Sequence, residues 1–270
     1  MIACGIDIGS TTIEVVLHDG TAVIGRCKTA SGAFPAQQAR QAINELLTQV
    51  GIGIDGIDRT ISTGFGRNYF DRADRSVSEI TCHAAGASSL FAGVRTIIEI
   101  GGQDSKMMQI DDHGRVVDFV MNDRCAAGTG KFIETVARTL CLPVEETGAL
   151  GLQAEKGCEI SSMCAVFAET EIVGLLHQGA SPHSVLRGVF NAVSRRIIGM
   201  SGRIGLRDTV VFTGGVARNR GVHQALEDIT GRKIVIPSEP EYTGALGAAL
   251  IASRELFAER RSVASLNEAS

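Results

Sequence analysis

One local order of elements occurs twice in this chain. An apolar strand over 2–8 ends in Gly9-Ser10-Thr11-Thr12, a second strand covers 13–18, and Asp19-Gly20 turns the chain into a third strand over 21–28. About 94 residues later (Ile2 to Thr96) the order returns as 96–100, Gly101-Gly102-Gln103-Asp104-Ser105, 106–110, Asp111-Asp112-His113-Gly114 and 116–121. Strands joined by such turns read as hairpins. A recurrence this long marks internal duplication of a β-β-β-α-β-α unit, not a short-period solenoid. Between the copies, Ala39, Ile43, Leu46 and Val50 stand at helical spacing. A strand over 59–63 runs into Gly64-Phe65-Gly66, and a helix follows Glu79. The expected fold is α/β, two duplicated lobes with a cleft between them. The boundaries read as 1–94 and 95–250, with a C-terminal helix over 251–270 completing the first lobe and the tail after Arg254 polar and partly helical.

Composition removes several functions. With 26 basic and 30 acidic residues the net charge is −4, which gives no electrostatic footprint for nucleic acid. Tryptophan is absent and aromatics are 4%, against a stacked-base platform. No apolar run is long enough to cross a bilayer. No basic n-region precedes the first strand, so a cytoplasmic protein is expected. There the seven cysteines are free, catalytic or metal-bound, not disulfides.

The duplicated turns carry chemistry. In Asp7-Ile8-Gly9-Ser10-Thr11-Thr12, glycine admits an anion to the backbone, hydroxyls and N–H groups bind phosphate, and Asp7 can hold Mg²⁺ through water. Glu99-Ile100-Gly101-Gly102-Gln103-Asp104-Ser105 has the same logic. Each alone equally fits an ordinary glycine hairpin; as a pair in a duplication they point to a phosphate clamp. A third cluster, Gly214-Gly215-Val216 with Asn219, follows an apolar strand and suits a purine or ribose. In 242–249 small residues line one face of a helix, which fits close packing or nucleotide contact. Neither a Walker nor a Rossmann motif is present. Asp7 to Thr12, Glu99 to Ser105 and Phe212 to Val216 resemble the phosphate-1, phosphate-2 and adenosine motifs of the actin/hexokinase/Hsp70 superfamily. That resemblance implies ribonuclease-H-like lobes with ATP and Mg²⁺ between them.

Free cysteine is usually a small core residue, and Cys4, Cys27, Cys82 and Cys141 are expected to pack. Cys125 and Cys164 each precede a helix, over 131–140 and 166–177, where the helix N-terminus favours a thiolate. Ala126-Ala127-Gly128-Thr129-Gly130 lets backbone N–H groups, at Gly128 and Gly130 above all, approach an anionic cluster. Cys158 competes with Cys164 on spacing alone. No C-x₂-C pair supports zinc. An iron–sulfur cluster takes four thiolates, so two per chain imply a two-fold dimer sharing one cluster.

Asn122-Asp123-Arg124-Cys125-Ala126-Ala127-Gly128-Thr129-Gly130 and Ser162-Met163-Cys164-Ala165-Val166-Phe167-Ala168-Glu169 resemble the two signature segments of the 2-hydroxyacyl-CoA dehydratase activators. These are also called component A or archerases, within the BadF/BadG/BcrA/BcrD ATPase family. The match falls on Cys125 and Cys164 and not on Cys158. It implies a homodimer with one bridging 4Fe-4S cluster and one ATP/ADP site per subunit. It also implies a low-potential donor such as ferredoxin or flavodoxin, and a dehydratase or reductase partner. Asp7 and Asp104 are then assigned to Mg²⁺ through water, and Glu99 or Gln103 to placing the attacking water. The rivals are a small-molecule kinase of the same superfamily without a cluster, and a non-enzymatic nucleotide-binding regulator.

Overall fold

A computed structural model describes residues 1–122, 126–161 and 165–268. Cys125 and Cys164 lie outside these described residues. The chain divides into two compact units, Met1–Ala92 with Glu241–Ser270, and Gly93–Pro240.

The first unit holds β1 (Ala3–Ile8), β2 (Thr12–His18), β3 (Val23–Ala30), α1 (Pro35–Val50), β4 (Arg59–Thr63), β5 (Arg75–Ser76) and α2 (Glu79–Leu90). Its sheet runs β3-β2-β1-β4-β5. β1–β2 and β2–β3 are antiparallel, and β1–β4 and β4–β5 parallel. β1 is buried along its whole length because both faces are covered. Alternate residues point to opposite faces. Cys4, Ile6 and Ile8 therefore share a core with Ile43, Leu46 and Leu47 of α1. Pro35 begins α1, where its missing N–H costs nothing, and Gly51 at φ +72° closes it. Each fully buried Ile or Leu of that face contributes about 1.5–3 kcal/mol.

The β2–β3 turn is longer than Asp19-Gly20. Asp19 Oδ1 accepts hydrogen bonds from the N–H groups of Thr21 and Ala22, both at 2.8 Å, so pairing resumes only at Val23.

The second unit holds β6 (Thr96–Ile100), β7 (Ser105–Ile110), β8 (Val116–Asn122), α3 (Gly130–Thr139), α4 (Val144–Gly151), α5 (Ala165–His177), α6 (Pro182–Ile204), β9 (Val210–Thr213), α7 (Arg220–Thr230) and β10 (Ile234–Val235). Its sheet order is β10-β9-β6-β7-β8. Read from the other edge this is the first sheet again, with the same antiparallel and parallel pairings. Phe132, Phe190, Val193, Ile197 and Phe212 stand at the centre of its core.

The chain then returns to the first unit as α8 (Thr243–Glu268), a continuous helix where a partly helical tail is expected. Small residues bring it against its neighbours. A Cβ on Gly5 of β1 would lie 2.1 Å from the Ala245 carbonyl oxygen, and one on Gly247 only 1.8 Å from the Cys82 carbonyl oxygen of α2. The 242–249 stretch is thus a packing surface, one of its two sequence readings. Further along, Glu255 and Glu259 pair with Arg59 at 3.1 and 2.7 Å, which ties the polar part of the helix to β4. Among the described residues no helix is long and apolar enough to cross a membrane.

Candidate functional site

Asp7 lies near the end of β1 and stands opposite Glu14 across the β1–β2 ladder. The turn between them is closed by Gly9 N–H donating to the Thr12 carbonyl at 2.9 Å. Ser31 supports it, its hydroxyl donating to the Gly9 carbonyl at 2.6 Å and its N–H to the Thr11 carbonyl at 2.9 Å. Ser10 and Thr11 are left exposed at the tip.

The Asp7 carboxylate is closely enclosed. Gly64, at φ +83° just after β4, leaves room for it; a Cβ there would lie 2.3 Å from Asp7 Oδ1. Gly244, in the first turn of α8, would place a Cβ 2.1 Å from Asp7 Oδ2, so the carboxylate meets the positive end of that helix. His83 Nε2 of α2 stands 3.9 Å from the same oxygen. Beside it, Glu14 is 5% exposed, and its Oε1 has no hydrogen-bond partner among the described residues. Burial first, and then the Asp7 charge, push the Glu14 carboxyl up to about 8.

The second unit repeats this geometry, with Glu99 in place of Asp7. Glu99 near the end of β6 stands opposite Lys106 of β7, and Gly101 N–H donates to the Asp104 carbonyl at 3.0 Å. Gly214, at φ +84° just after β9, matches Gly64; its Cβ would lie 2.5 Å from the Ile100 carbonyl oxygen and 2.8 Å from Glu99 Oε1. Lys106 is 1% exposed, and its Nζ lies 2.9 Å from Glu99 Oε2 and 2.8 Å from Asp104 Oδ2. Gln103 is exposed at the tip, Gly101 and Gly102 are half-buried, and Ser105 is buried.

The sequence reading did not single out Glu14, Gly64, His83 or Lys106. Glu14 and Lys106 can be found by counting seven residues on from each acid, around the turn to its cross-strand partner.

The start of α3 is fastened to the second turn. Gly130 and Lys131 N–H groups donate to the Gly101 and Gly102 carbonyls at 2.9 and 2.8 Å. A Cβ on Gly130 would lie 3.1 Å from both the Gly101 carbonyl oxygen and Val216 Cγ2, so a small residue keeps this approach. Gly128 is buried against Arg196 and Asn122. Gly215 is exposed and Val216 buried in the turn that follows Gly214. Asn219 caps α7: its Oδ1 accepts from the N–H groups of Gly221 and Val222, and its amide donates to Thr147 Oγ1 at 3.0 Å.

The described cysteines are poor metal ligands. Burial pushes the thiols of Cys4 and Cys82 up to about 12 and that of Cys27 up to about 11. Cys158 is partly buried, with Sγ 3.4 Å from Ser184 Oγ. Cys141 departs from the packing expected of it. It ends α3 at φ +56°, a left-handed position that turns the residue out to solvent. Among the described residues no group of three or more His, Cys, Asp or Glu is placed to hold a metal ion.

Two sheets of one order, each with an acid and a glycine turn at the same register, define an ATPase of the actin-like fold. The chain belongs to the BadF/BadG/BcrA/BcrD ATPase family, which it matches over residues 4–252. It is 41% identical over 253 residues, 93% of this chain and 97% of the relative, to the activator of lactoyl-CoA dehydratase of Anaerotignum propionicum. It is 40% identical over 253 residues, 93% and 96%, to the (R)-2-hydroxyglutaryl-CoA dehydratase activating ATPase of Acidaminococcus fermentans. The solved structure of the activator of the 2-hydroxyisocaproyl-CoA dehydratase from Clostridium difficile, with bound ADPNP, superposes with a TM-score of 0.92 at 36% identity. That match covers 97% of this chain and 98% of the other.

Proposed function

We propose that this protein is an ATP-hydrolysing activator that delivers one low-potential electron to a 2-hydroxyacyl-CoA dehydratase or a related reductase. The activator names of relatives similar over more than nine-tenths of the chain support this reading. The observation that carries the coupling is the pair of backbone hydrogen bonds from Gly130 and Lys131 to Gly101 and Gly102. They join the second phosphate turn to a segment that begins just after Cys125, so a shift of the turn moves that segment.

In this reading the Gly9 and Gly101 turns bind phosphate through backbone N–H groups, and Ser10, Thr11, Thr12 and Ser105 add hydroxyls. Gly214, Gly215 and Val216 border the nucleoside. Asn219 acts from behind them as the helix cap. Gln103, exposed on its turn, orients the attacking water, while Glu99 and Asp104 shape the turn beneath it.

The Asp7 hairpin fits Mg²⁺. It has a buried acid pair with a Glu14 oxygen that lacks a hydrogen bond, and such a pair suits the water shell that Mg²⁺ keeps. Mg²⁺ held there through water would supply charge neutralisation for the phosphates. For the cluster, the described cysteines are buried or half-buried with raised thiols, partly buried beside a serine, or lone and exposed. Cys125 and Cys164 remain as donors. Contributed by each protomer of a homodimer, they would hold a 4Fe-4S cluster, which supplies a single low-potential electron. A ferredoxin or flavodoxin suits the role of donor.

Anaerobic EPR of the dithionite-reduced protein, with ADP and then with ATP, tests the reading. The expected result is a reduced-cluster signal whose shape differs between the nucleotides. A colourless, metal-free protein that hydrolyses ATP would overturn it, as would electron transfer to the partner at a rate indifferent to nucleotide.

A further inference from the structure

The two hairpins match residue for residue, yet one equivalent position carries opposite chemistry. The cross-strand partner of Asp7 is Glu14, and that of Glu99 is Lys106. We propose that Lys106 is a positioning residue and the resident cation of the second phosphate turn. It fixes Glu99 and Asp104 and leaves the divalent cation to the Asp7–Glu14 hairpin.

This rests on the ATPase reading and deepens it. The Lys106 ammonium sits 2.8–2.9 Å from one oxygen of each carboxylate and is 1% exposed. A buried ammonium at that place repels a divalent ion and takes up carboxylate lone pairs that the ion's water shell needs. Glycine backbone encloses the same acids. The Cβ of a residue at 101 would lie 3.0 Å from Asp104 Oδ1 and 3.1 Å from Glu99 Oε1, and one at 214 would lie 2.8 Å from that Glu99 oxygen. The Lys106 ammonium thus bridges both acids in a space sized for an ammonium. A guanidinium, planar and forked, does not substitute for it there. Lys106 also sits beneath the turn whose carbonyls bind the start of α3, so its hold on Asp104 sets the geometry of Gly101.

Mn²⁺ titration of the full protein with saturating ADP, reading free Mn²⁺ by its room-temperature EPR signal, tests the proposal together with steady-state ATP hydrolysis. Wild type should bind one Mn²⁺ per protomer. Lys106→Met should bind a second, at the carboxylates that have lost their cation. Lys106→Arg should keep one Mn²⁺ and a KM for ATP within about twofold of wild type, while kcat falls at least about tenfold because the turn is displaced. A single Mn²⁺ in a folded Lys106→Met, or wild-type kcat in Lys106→Arg, overturns the proposal. Where Lys106→Met does not fold, Lys106→Arg decides alone. The ATPase reading fails separately, if wild type neither hydrolyses ATP nor binds Mn²⁺ with ADP.

Discussion

The hairpin of the first unit and the hairpin of the second share one backbone register and differ in charge at two positions, Glu14 against Lys106 and Thr12 against Asp104. Acid, glycine turn, cross-strand partner and a positive-φ glycine on the parallel neighbour recur at matching register. The difference is that Asp7 faces a second carboxyl, whereas Glu99 faces an ammonium. On the first hairpin the facing side chain is a second acid, with His83 beside Asp7 and Lys28 opposite Glu14 on β3. On the second, one buried ammonium bridges the buried Glu99 and the half-buried Asp104. The two copies therefore share one backbone geometry and differ in the charge of the cross-strand partner.

Substitution at the two partner positions should give a loss of stability at one and none at the other, and this is the largest difference expected. Lys106→Met leaves two carboxylates without their cation and should cost about 3–5 kcal/mol of stability. Glu14→Met removes a carboxyl whose Oε1 makes no hydrogen bond among the described residues and should leave stability unchanged or raised. Denaturant midpoints of the two variants measure this; a loss at both positions would break the comparison.

A pH series separates the hairpins next. The Glu14 carboxyl is raised from 4.5 to about 8 in the folded protein. Protonation thus favours the fold: the contribution of Glu14 is best below pH 4.5 and declines as pH rises through about 8. The decline is up to about 1.4 kcal/mol per pH unit, measured without nucleotide or divalent metal. Glu14→Gln should flatten that slope, and a slope equal to wild type's would refute the assignment.

Gly64→Ala and Gly214→Ala sharpen the likeness instead. Each adds a methyl at a positive φ and within 2.5 Å of the equivalent hairpin, at Asp7 Oδ1 in one case and the Ile100 carbonyl in the other. Both should cost about 1–3 kcal/mol, and thermal unfolding should rank them together. The smallest effects belong to the helix caps. Ser78→Ala in the first unit should cost about 1 kcal/mol, since Ser78 Oγ accepts from one backbone N–H, that of Thr81, in capping α2 and shares a hydrogen bond with the Thr81 hydroxyl. Asn219→Ala in the second should cost somewhat more, about 1–2 kcal/mol, because the bond to Thr147 is lost as well. Equal losses would show that the Thr147 bond contributes nothing.

The chain order of the strands and the two glycine turns were legible in the sequence because apolar runs and turn residues are written locally. The residues that set the charge of each hairpin were not. Glu14 and Lys106 lie inside apolar strands, and only the ladder register places them against Asp7 and Glu99. Gly64 read as a turn residue, but its contact with Asp7 depends on the parallel pairing of β1 with β4, distant in sequence. Asn219 read as a nucleotide residue because it follows the glycine cluster, and its side chain is the cap of α7. Cys141 read as core, yet helix termination at φ +56° turned it outward.

The sheet of the first unit is covered on one side by α8, which the chain supplies only after the whole second unit. On the ribosome, residues 93–240 therefore emerge as an uninterrupted block and can finish folding while the Ala3–Gly5 face of β1 still waits for its lid. Once residues 93–240 have emerged, the second unit is complete while still tethered to an open apolar sheet. Translation in this protein thus has a vulnerable interval, and its length is the time taken to make and release α8.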